Sequence, residues 1–187
     1  MNKSNLFKSI AGFLFLVILS APVLSYQLGG KEMIKSGTGS RTMAFMTIYF
    51  GTLFVPQELK GAADTAIINA DEPMSLILTI DSALVDRDKF VKSVTEGFVK
   101  AASAGYTTTE SKTFLNLFND VTIVKGDKFS HHYDPKTGTT VKYWSKASGS
   151  EKTLGVVKGL QFKKAFFGMF LGSKPIQAGL KKGMLGQ

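Results

Sequence analysis

The polar side chains best placed to bind a ligand are an arginine and a tyrosine in the first strongly apolar run of the mature chain. Arg41 opens the run TMAFMTIYFGTLFVP, and Tyr49 lies eight residues further along. A guanidinium is always charged and offers five donors in a planar fork, which suits a carboxylate. A buried tyrosine hydroxyl also needs a hydrogen-bonding partner. The pair predicts a carboxylate site, with a solvated arginine at a strand edge as the alternative.

Other residues that could do chemistry do not form a catalytic set. His131 and His132 are adjacent, so in a strand they point to opposite faces and cannot share one metal ion. We expect a lone strand histidine next to a hairpin to be a surface residue rather than a ligand. Solvation or helix capping explains the acidic residues concentrated between residues 64 and 88. The sequence has no cysteine, nucleophile elbow, phosphate loop or dinucleotide-binding motif. It therefore predicts no catalytic residue, metal site or cofactor.

The N-terminus has the pattern of a secretory signal. Lys3 and Lys8 precede an apolar run over residues 10–19, and Pro22 then breaks this run before it is long enough to span a bilayer. We expect cleavage after Ser25, a signal peptide over 1–25 and a single domain over 26–187. The absence of disulfides in an exported chain favours a bacterial periplasm.

The charge balance is basic. The chain carries a net charge of +9, and losing Lys3 and Lys8 lowers it to +7. Because export argues against nucleic acid as a partner, the lysines are expected to face an anionic ligand, an anionic membrane surface or water. Nothing acidic follows Glu151, so the lysine-rich end of the chain, from Lys158 to Lys182, is the predicted membrane contact. The sequence does not indicate an oligomeric state.

The pattern of apolar residues indicates how these side chains would be positioned. Residues 26–40 are polar and Gly-rich, and 41–56 read as one long strand buried on both faces. A straight strand would hold Arg41 and Tyr49 on one face but about 26 Å apart at 3.3 Å per residue. Only a sharp bend would bring both to one ligand.

The remaining segments predict an α+β domain with an antiparallel sheet. The predicted elements are a strand over 75–80, a helix over 87–104 capped by Asp86, a short helix over 110–118, a hairpin of 128–133 and 139–145, a polar turn over 146–151, an apolar helix over 156–171 and a last helix to about 184. The chain has fifteen phenylalanines, which suit either a packed core or the wall of an apolar cavity.

The chain resembles the bacterial branch of the chalcone isomerase-like family over about residues 30–187. The segments that carry the resemblance are GTGSRTMAFMTIYFGTLFVP, ADEPMSLILTI, RDKFVKSVTEGFVKAA and GLQFKKAFFGMFLGSKPIQAGLKKGMLG. The resemblance implies an open-faced β-sandwich, in which helices cover one face of a large antiparallel sheet and a ligand cleft lies between them. Members include plant isomerases, plastid fatty-acid-binding proteins and exported bacterial proteins.

The resemblance also implies a ligand site at Arg41, Tyr49 and Phe90. Arg41 matches the family's cleft arginine, and Tyr49 falls where the fatty-acid binders also have tyrosine and the isomerases have threonine. The isomerases' active-site tyrosine falls on Phe90, their cleft asparagine on Gly97 and a helical Ser/Thr near Lys163. Losing even one preorganised donor typically costs about a hundredfold in rate, so chalcone isomerase activity is not expected.

Three functions follow as hypotheses. The first is a non-catalytic periplasmic protein that binds a fatty acid or similar apolar carboxylate. The alternative is an isomerase or intramolecular lyase with an unknown substrate, in which Arg41 acts as electrophile and Tyr49 as general acid. The third is a structural or membrane-associated protein that contacts anionic lipid through its lysine-rich end.

Overall fold

One antiparallel sheet of seven strands forms the framework of the protein, in a computed structural model that describes residues 25–187. Each strand pairs with its neighbours in chain order. The strands are β1 Ser25–Leu28, β2 Lys31–Met43, β3 Met46–Pro56, β4 Met74–Ile80, β5 Lys128–Asp134, β6 Gly138–Trp144 and β7 Glu151–Val157. The helices are α1 Asp64–Asn69, α2 Arg87–Ser103, α3 Ser111–Asn116, α4 Leu160–Leu171 and α5 Ala178–Met184. The predicted α+β fold is confirmed.

The N-terminal signal prediction falls almost wholly outside the described residues. Residues 1–24 lie there, and Ser25, the predicted cleavage point, is the first residue of β1. None of the helices within residues 25–187 combines the length and the apolar character that a bilayer crossing requires.

The two faces of the sheet differ, as the alternation along β5 shows. Phe129, His131 and Tyr133 are buried beneath the helices, whereas Ser130 and His132 lie on the open face. The helix-facing side holds the core, where phenylalanine rings pack edge-to-face or tilted at centroid distances of 4.9–6.1 Å. Most phenylalanines of the described chain therefore fill this core, and Phe90 and Phe170 also line the cleft described below.

The prediction of one long strand over 41–56 is wrong. Residues 31–56 form a hairpin of β2 and β3 that turns at Ala44 and Phe45. Ala44 has φ 52°, a left-handed conformation that is usually marked by Gly or Asn. Because residues 42–50 include no Gly, Pro, Asn or Asp, nothing in the local composition signals the reversal.

The predicted polar turn over 146–151 and helix from 156 are also wrong in part. Residues 151–157 form the edge strand β7, and α4 begins only at Leu160. Gly159 separates the two elements with φ 95°. Only Lys158 and Gly159 separate the apolar residues of the strand from those of the helix, so periodicity did not locate the boundary.

Other predicted elements are confirmed. Asp86 caps α2 by accepting a 2.8 Å hydrogen bond from the Lys89 amide. The β5–β6 hairpin turns where Asp134 accepts a 2.9 Å hydrogen bond from the Lys136 amide. Strand β4 matches the predicted strand to within one residue.

Two glycines in β2 bring α5 into direct contact with the sheet. A Cβ atom at Gly39 would lie 2.1 Å from the Leu180 carbonyl oxygen, and one at Gly37 would lie 2.2 Å from the Gly183 carbonyl oxygen. Arg41 is the next residue of β2 on this face, where a side chain again has room. The GTGSR segment thus seats the helix and then places the guanidinium just beyond it.

Candidate ligand-binding cleft

A cleft of about 380 Å³ lies between α2 and strands β2 to β4. Arg41, Tyr49 and Phe90 all line it, so the structure brings the three predicted site residues together. Its walls are otherwise mainly apolar and include Ile48, Leu78, Ile80, Val85, Val94, Phe170 and Ile176. The volume lies within the range of about 300–1,000 Å³ that is typical of small-molecule sites.

Arg41 and Tyr49 are direct cross-strand partners in the β2–β3 hairpin. Residues opposite each other in an antiparallel pair have Cβ atoms about 4.5–5.5 Å apart. The separation of about 26 Å expected for one straight strand does not apply, because the chain reverses between the two residues. Both side chains can therefore reach the same small group.

The guanidinium of Arg41 sits at the edge of this apolar space without an acidic partner. Arg41 is half-buried, and none of the ion pairs between side chains of residues 25–187 includes it. A partly buried cation beside apolar walls has donors to offer a carboxylate, and charge-assisted hydrogen bonds are the strong ones. This arrangement is chemically suited to hold an anion at one end of the cleft.

Tyr49 supplies a second, neutral donor. Its side chain is buried, and burial raises its pKa to about 12, although the nearby charge of Arg41 acts in the opposite direction. The hydroxyl therefore keeps its proton at neutral pH. It can donate a hydrogen bond to an oxygen that Arg41 also contacts.

Phe90 forms the apolar floor of the cleft. Its ring stacks on Phe129 at 5.2 Å and lies 4.9 Å from Phe118, which joins the cleft wall to the aromatic core. The side chain carries no hydroxyl at the position where the resemblance aligns an isomerase tyrosine. It can shape the cleft and contact an apolar ligand, but it offers no proton.

The mouth of the cleft includes polar residues of α2 that the sequence reasoning missed. These residues are Lys89, Lys92, Ser93 and Glu96. Their spacing of three and four residues places them on one side of α2, next to Phe90. The helical spacing relative to Phe90 could have identified these residues from the sequence, once Phe90 was known to face the cleft.

Two other positions implied by the resemblance do not line the cleft. Lys163 is fully buried under α1, where its ammonium donates hydrogen bonds to the carbonyls of Ile67 at 2.9 Å, Ile68 at 2.8 Å and Ala70 at 2.7 Å. Burial lowers the pKa of Lys163 to about 7. Gly97 lies where a Cβ atom would be 2.8 Å from the Met169 sulfur, so its role is close packing of α2 on α4.

The expectation of a surface histidine is wrong for His131. The side chain is fully buried against Phe166, with ring centroids 4.5 Å apart, and its Nδ1 lies 3.2 Å from the Leu76 carbonyl oxygen. Burial lowers the pKa of His131 to about 3, so it is neutral at pH 7. His132 lies on the other face of the sheet, as predicted. Within residues 25–187 no group of His, Asp or Glu could hold a metal ion.

Comparisons with known proteins agree with this geometry. The model of the chalcone isomerase-like family matches residues 21–186. The crystal structure of a fatty-acid-binding protein from Arabidopsis thaliana superimposes with a TM-score of 0.58 at 16% identity, covering 86% of this chain and 95% of the plant chain. At that identity the likeness shows a shared fold. A search of curated proteins gave no match.

Proposed function

Because the chain belongs to the chalcone isomerase-like family, we propose that it binds a fatty acid or a similar apolar carboxylate in the cleft. The observation that carries the proposal is the pairing of Arg41 with Tyr49 at the edge of an apolar cavity, with no acidic partner for Arg41 among the described side chains. The plant protein of the same fold is a fatty-acid-binding protein by name, which supports the same ligand class.

The two parts of such a ligand would meet different parts of the cleft. Its carboxylate would accept hydrogen bonds from Arg41 and Tyr49, and its chain would lie against Phe90 and the other apolar walls. Burying ten methylenes contributes about 8 kcal/mol before the costs of ordering the ligand. The chain therefore provides most of the affinity, and the carboxylate fixes the orientation.

The geometry favours binding over isomerase chemistry. A general acid works best when its pKa lies near the working pH, and the pKa of Tyr49 is raised to about 12. Phe90 and Gly97 leave the cleft without the hydroxyl and amide that the resemblance assigns to the isomerases. Carrier function needs none of these groups, so it is the function that this site supports best.

We also propose that the protein acts in the periplasm, because its N-terminal sequence has the pattern of an export signal. Expression of the full chain in a bacterium, followed by cell fractionation and mass measurement, tests this. The expected product is a periplasmic chain that begins at Tyr26. A cytoplasmic chain that retains residues 1–25 would refute the export proposal and leave the ligand proposal untouched.

Binding is tested by calorimetric titration of delipidated protein with palmitic acid and with methyl palmitate. We expect the acid to bind and Arg41→Met to weaken it by about 10- to 150-fold, because a hydrogen bond to a charged group contributes about 1.5–3 kcal/mol. The ester lacks the charge and should bind wild type and variant alike. Native mass spectrometry of freshly purified protein identifies any acid already bound.

The matched control is Lys92→Met, which removes the same charge from the mouth of the same cleft. It should change the affinity for palmitate by less than about threefold, because an exposed cation contributes little. Equal losses in Arg41→Met and Lys92→Met would mean that only the general positive field attracts the ligand. Full palmitate affinity in Arg41→Met would refute the assigned site.

A further inference from the structure

Exposed apolar side chains gather where the cleft opens. Phe45, in the β2–β3 turn, is fully exposed, and its neighbours Met43 and Met46 are 60% and 46% exposed. Leu84, in the loop after β4, is 48% exposed. Met43 and Leu84 also line the cleft. These four residues, which we name the mouth patch, therefore form an apolar rim at its entrance.

The fold does not explain this rim. Phe45 is not part of the core, and the turn that presents it has Ala44 in a left-handed conformation that favours glycine. The remaining exposed apolar side chains are mostly single residues on separate elements, such as Val99, Val124 and Val156. A cluster of exposed apolar residues beside a ligand cleft is typical of an interaction surface.

The charges around the mouth patch indicate an anionic partner. No Asp or Glu occurs between Glu32 and Glu58, a range that includes the whole β2–β3 turn. The basic residues that line the cleft are Arg41, Lys89 and Lys92, and the acidic one is Glu96. Lys89 also forms a 2.9 Å ion pair with Asp86, so Arg41 and Lys92 are the lining cations without an ion pair among the described side chains. Lysines beside an apolar patch can reach lipid headgroups while the patch enters the membrane interface.

We propose that the mouth patch docks on a bilayer of anionic phospholipids, so that the acyl chain of a ligand passes between the bilayer and the cleft without crossing bulk water. The side chains of Met43, Phe45 and Met46 would enter the boundary between headgroups and acyl chains, and the lysines would remain among the phosphates. The docking step stands independently of the ligand. The transfer step rests on the proposed function.

Docking is tested with a tryptophan reporter and vesicles of phosphatidylglycerol mixed with phosphatidylcholine. Trp144 is the only tryptophan, so Trp144→Phe provides a silent background into which Phe45→Trp or, as a matched control, Val156→Trp is introduced. We expect vesicles to shift the emission of the Phe45→Trp reporter to shorter wavelength and brominated lipid to quench it. The Val156→Trp reporter, on the far edge strand, should respond to neither.

The strength of docking is measured by vesicle sedimentation. Phe45→Asp should lower the partition coefficient roughly tenfold or more, because it removes a large apolar side chain and adds a negative charge. Val156→Asp should leave it nearly unchanged. Added salt should weaken docking, because it screens attraction to the headgroups. Equal binding to vesicles of pure phosphatidylcholine, or equal loss in the two Asp variants, would refute the proposal.

Transfer is tested by following a fluorescent fatty acid from donor vesicles to the protein. Phe45→Asp should slow transfer while its affinity for the free acid, titrated without vesicles, stays at the wild-type value. Tyr49→Phe, which keeps every charge at the mouth of the cleft, should dock normally and lose affinity for the free acid. This reciprocal pattern separates failure of docking from failure of the binding site.

A second copy of the chain is the competing occupant of the mouth patch. Sedimentation velocity distinguishes it: the wild-type protein is expected to have the same mass in solution as Phe45→Asp. A wild-type dimer that Phe45→Asp converts to monomer, together with no vesicle binding, would assign the patch to self-association and overturn the membrane proposal.

Discussion

Arg41 and Lys163 are two basic side chains held between the same sheet and its helices, and they differ in what surrounds them. Lys163 is fully buried, and three backbone carbonyls accept its hydrogen bonds. Arg41 is half-buried beside an apolar cleft, and no ion pair among the described side chains includes it. The fold itself supplies the hydrogen-bond acceptors of Lys163. Arg41 retains donors for a molecule from outside.

The surroundings of Lys163 explain its structural role. Its acceptors lie at the C-terminal end of α1, where free carbonyls and the helix dipole attract a positive charge. Lys163 thereby attaches the short helix α1 to α4. A buried charge alone does not mark a functional site, since the number of partners that the chain already supplies decides its role.

The largest expected effect is loss of stability on Lys163→Met. The substitution removes the donor of three carbonyls, two of them buried, which costs about 3–5 kcal/mol in the free energy of unfolding. Urea denaturation measures it, with Lys164→Met as the control for charge and helix propensity in the same turn. Arg41→Met should change the unfolding free energy by less than about 1 kcal/mol. Equal destabilisation by Arg41→Met and Lys163→Met would show that Arg41 also has a structural role.

Gly39→Ala tests whether the position of Arg41 depends on α5. The added methyl group would lie 2.1 Å from the Leu180 carbonyl oxygen, so the helix must move. We expect a loss of about 2–3 kcal/mol in urea denaturation, accompanied by weaker palmitate binding. Gly179→Ala is the control, because a methyl group there meets no atom within 4 Å. Unchanged palmitate affinity in Gly39→Ala would show that α5 does not set the position of Arg41.

His131 extends the comparison to a base that is buried and neutral. Burial lowers its folded-state pKa to about 3, whereas the unfolded chain takes up the proton near pH 6.5. The unfolded state therefore binds more protons below pH 6.5, and stability falls as the pH decreases. Between pH 7 and 5 the loss attributable to His131 is about 2 kcal/mol.

The test compares urea midpoints of wild type and His131→Gln at pH 7, 6 and 5. The variant should lose less stability over this range, because it has no group to titrate at that position. His132→Gln is the control on the open face, where burial also lowers the pKa but is incomplete. The same pH slope in wild type and His131→Gln would show that the ring is protonated in the folded protein.

Three residues that line one cleft could be selected from the sequence, whereas the path of the chain between two of them could not. Arg41, Tyr49 and Phe90 were identified from residue type and resemblance, and all three line one cleft. The hairpin between Arg41 and Tyr49 was missed because its turn contains Ala44 and Phe45, which carry no turn signal. The burial of His131 and the carbonyl cage of Lys163 depend on contacts between residues far apart in sequence, which local patterns do not contain.

The smallest expected effect comes from Tyr49→Phe, which removes one neutral donor and keeps Arg41. We expect palmitate affinity to fall about two- to twelvefold, since a neutral hydrogen bond contributes about 0.5–1.5 kcal/mol. Because the pKa of Tyr49 is raised to about 12, wild-type affinity should stay constant between pH 7 and 10. Loss of affinity over that range in the wild type, but not in Tyr49→Phe, would show that the hydroxyl ionises and repels the ligand. A loss as large as that of Arg41→Met would instead mean that the tyrosine holds the arginine in place. Arg41 and Tyr49 would then bind the carboxylate as one unit.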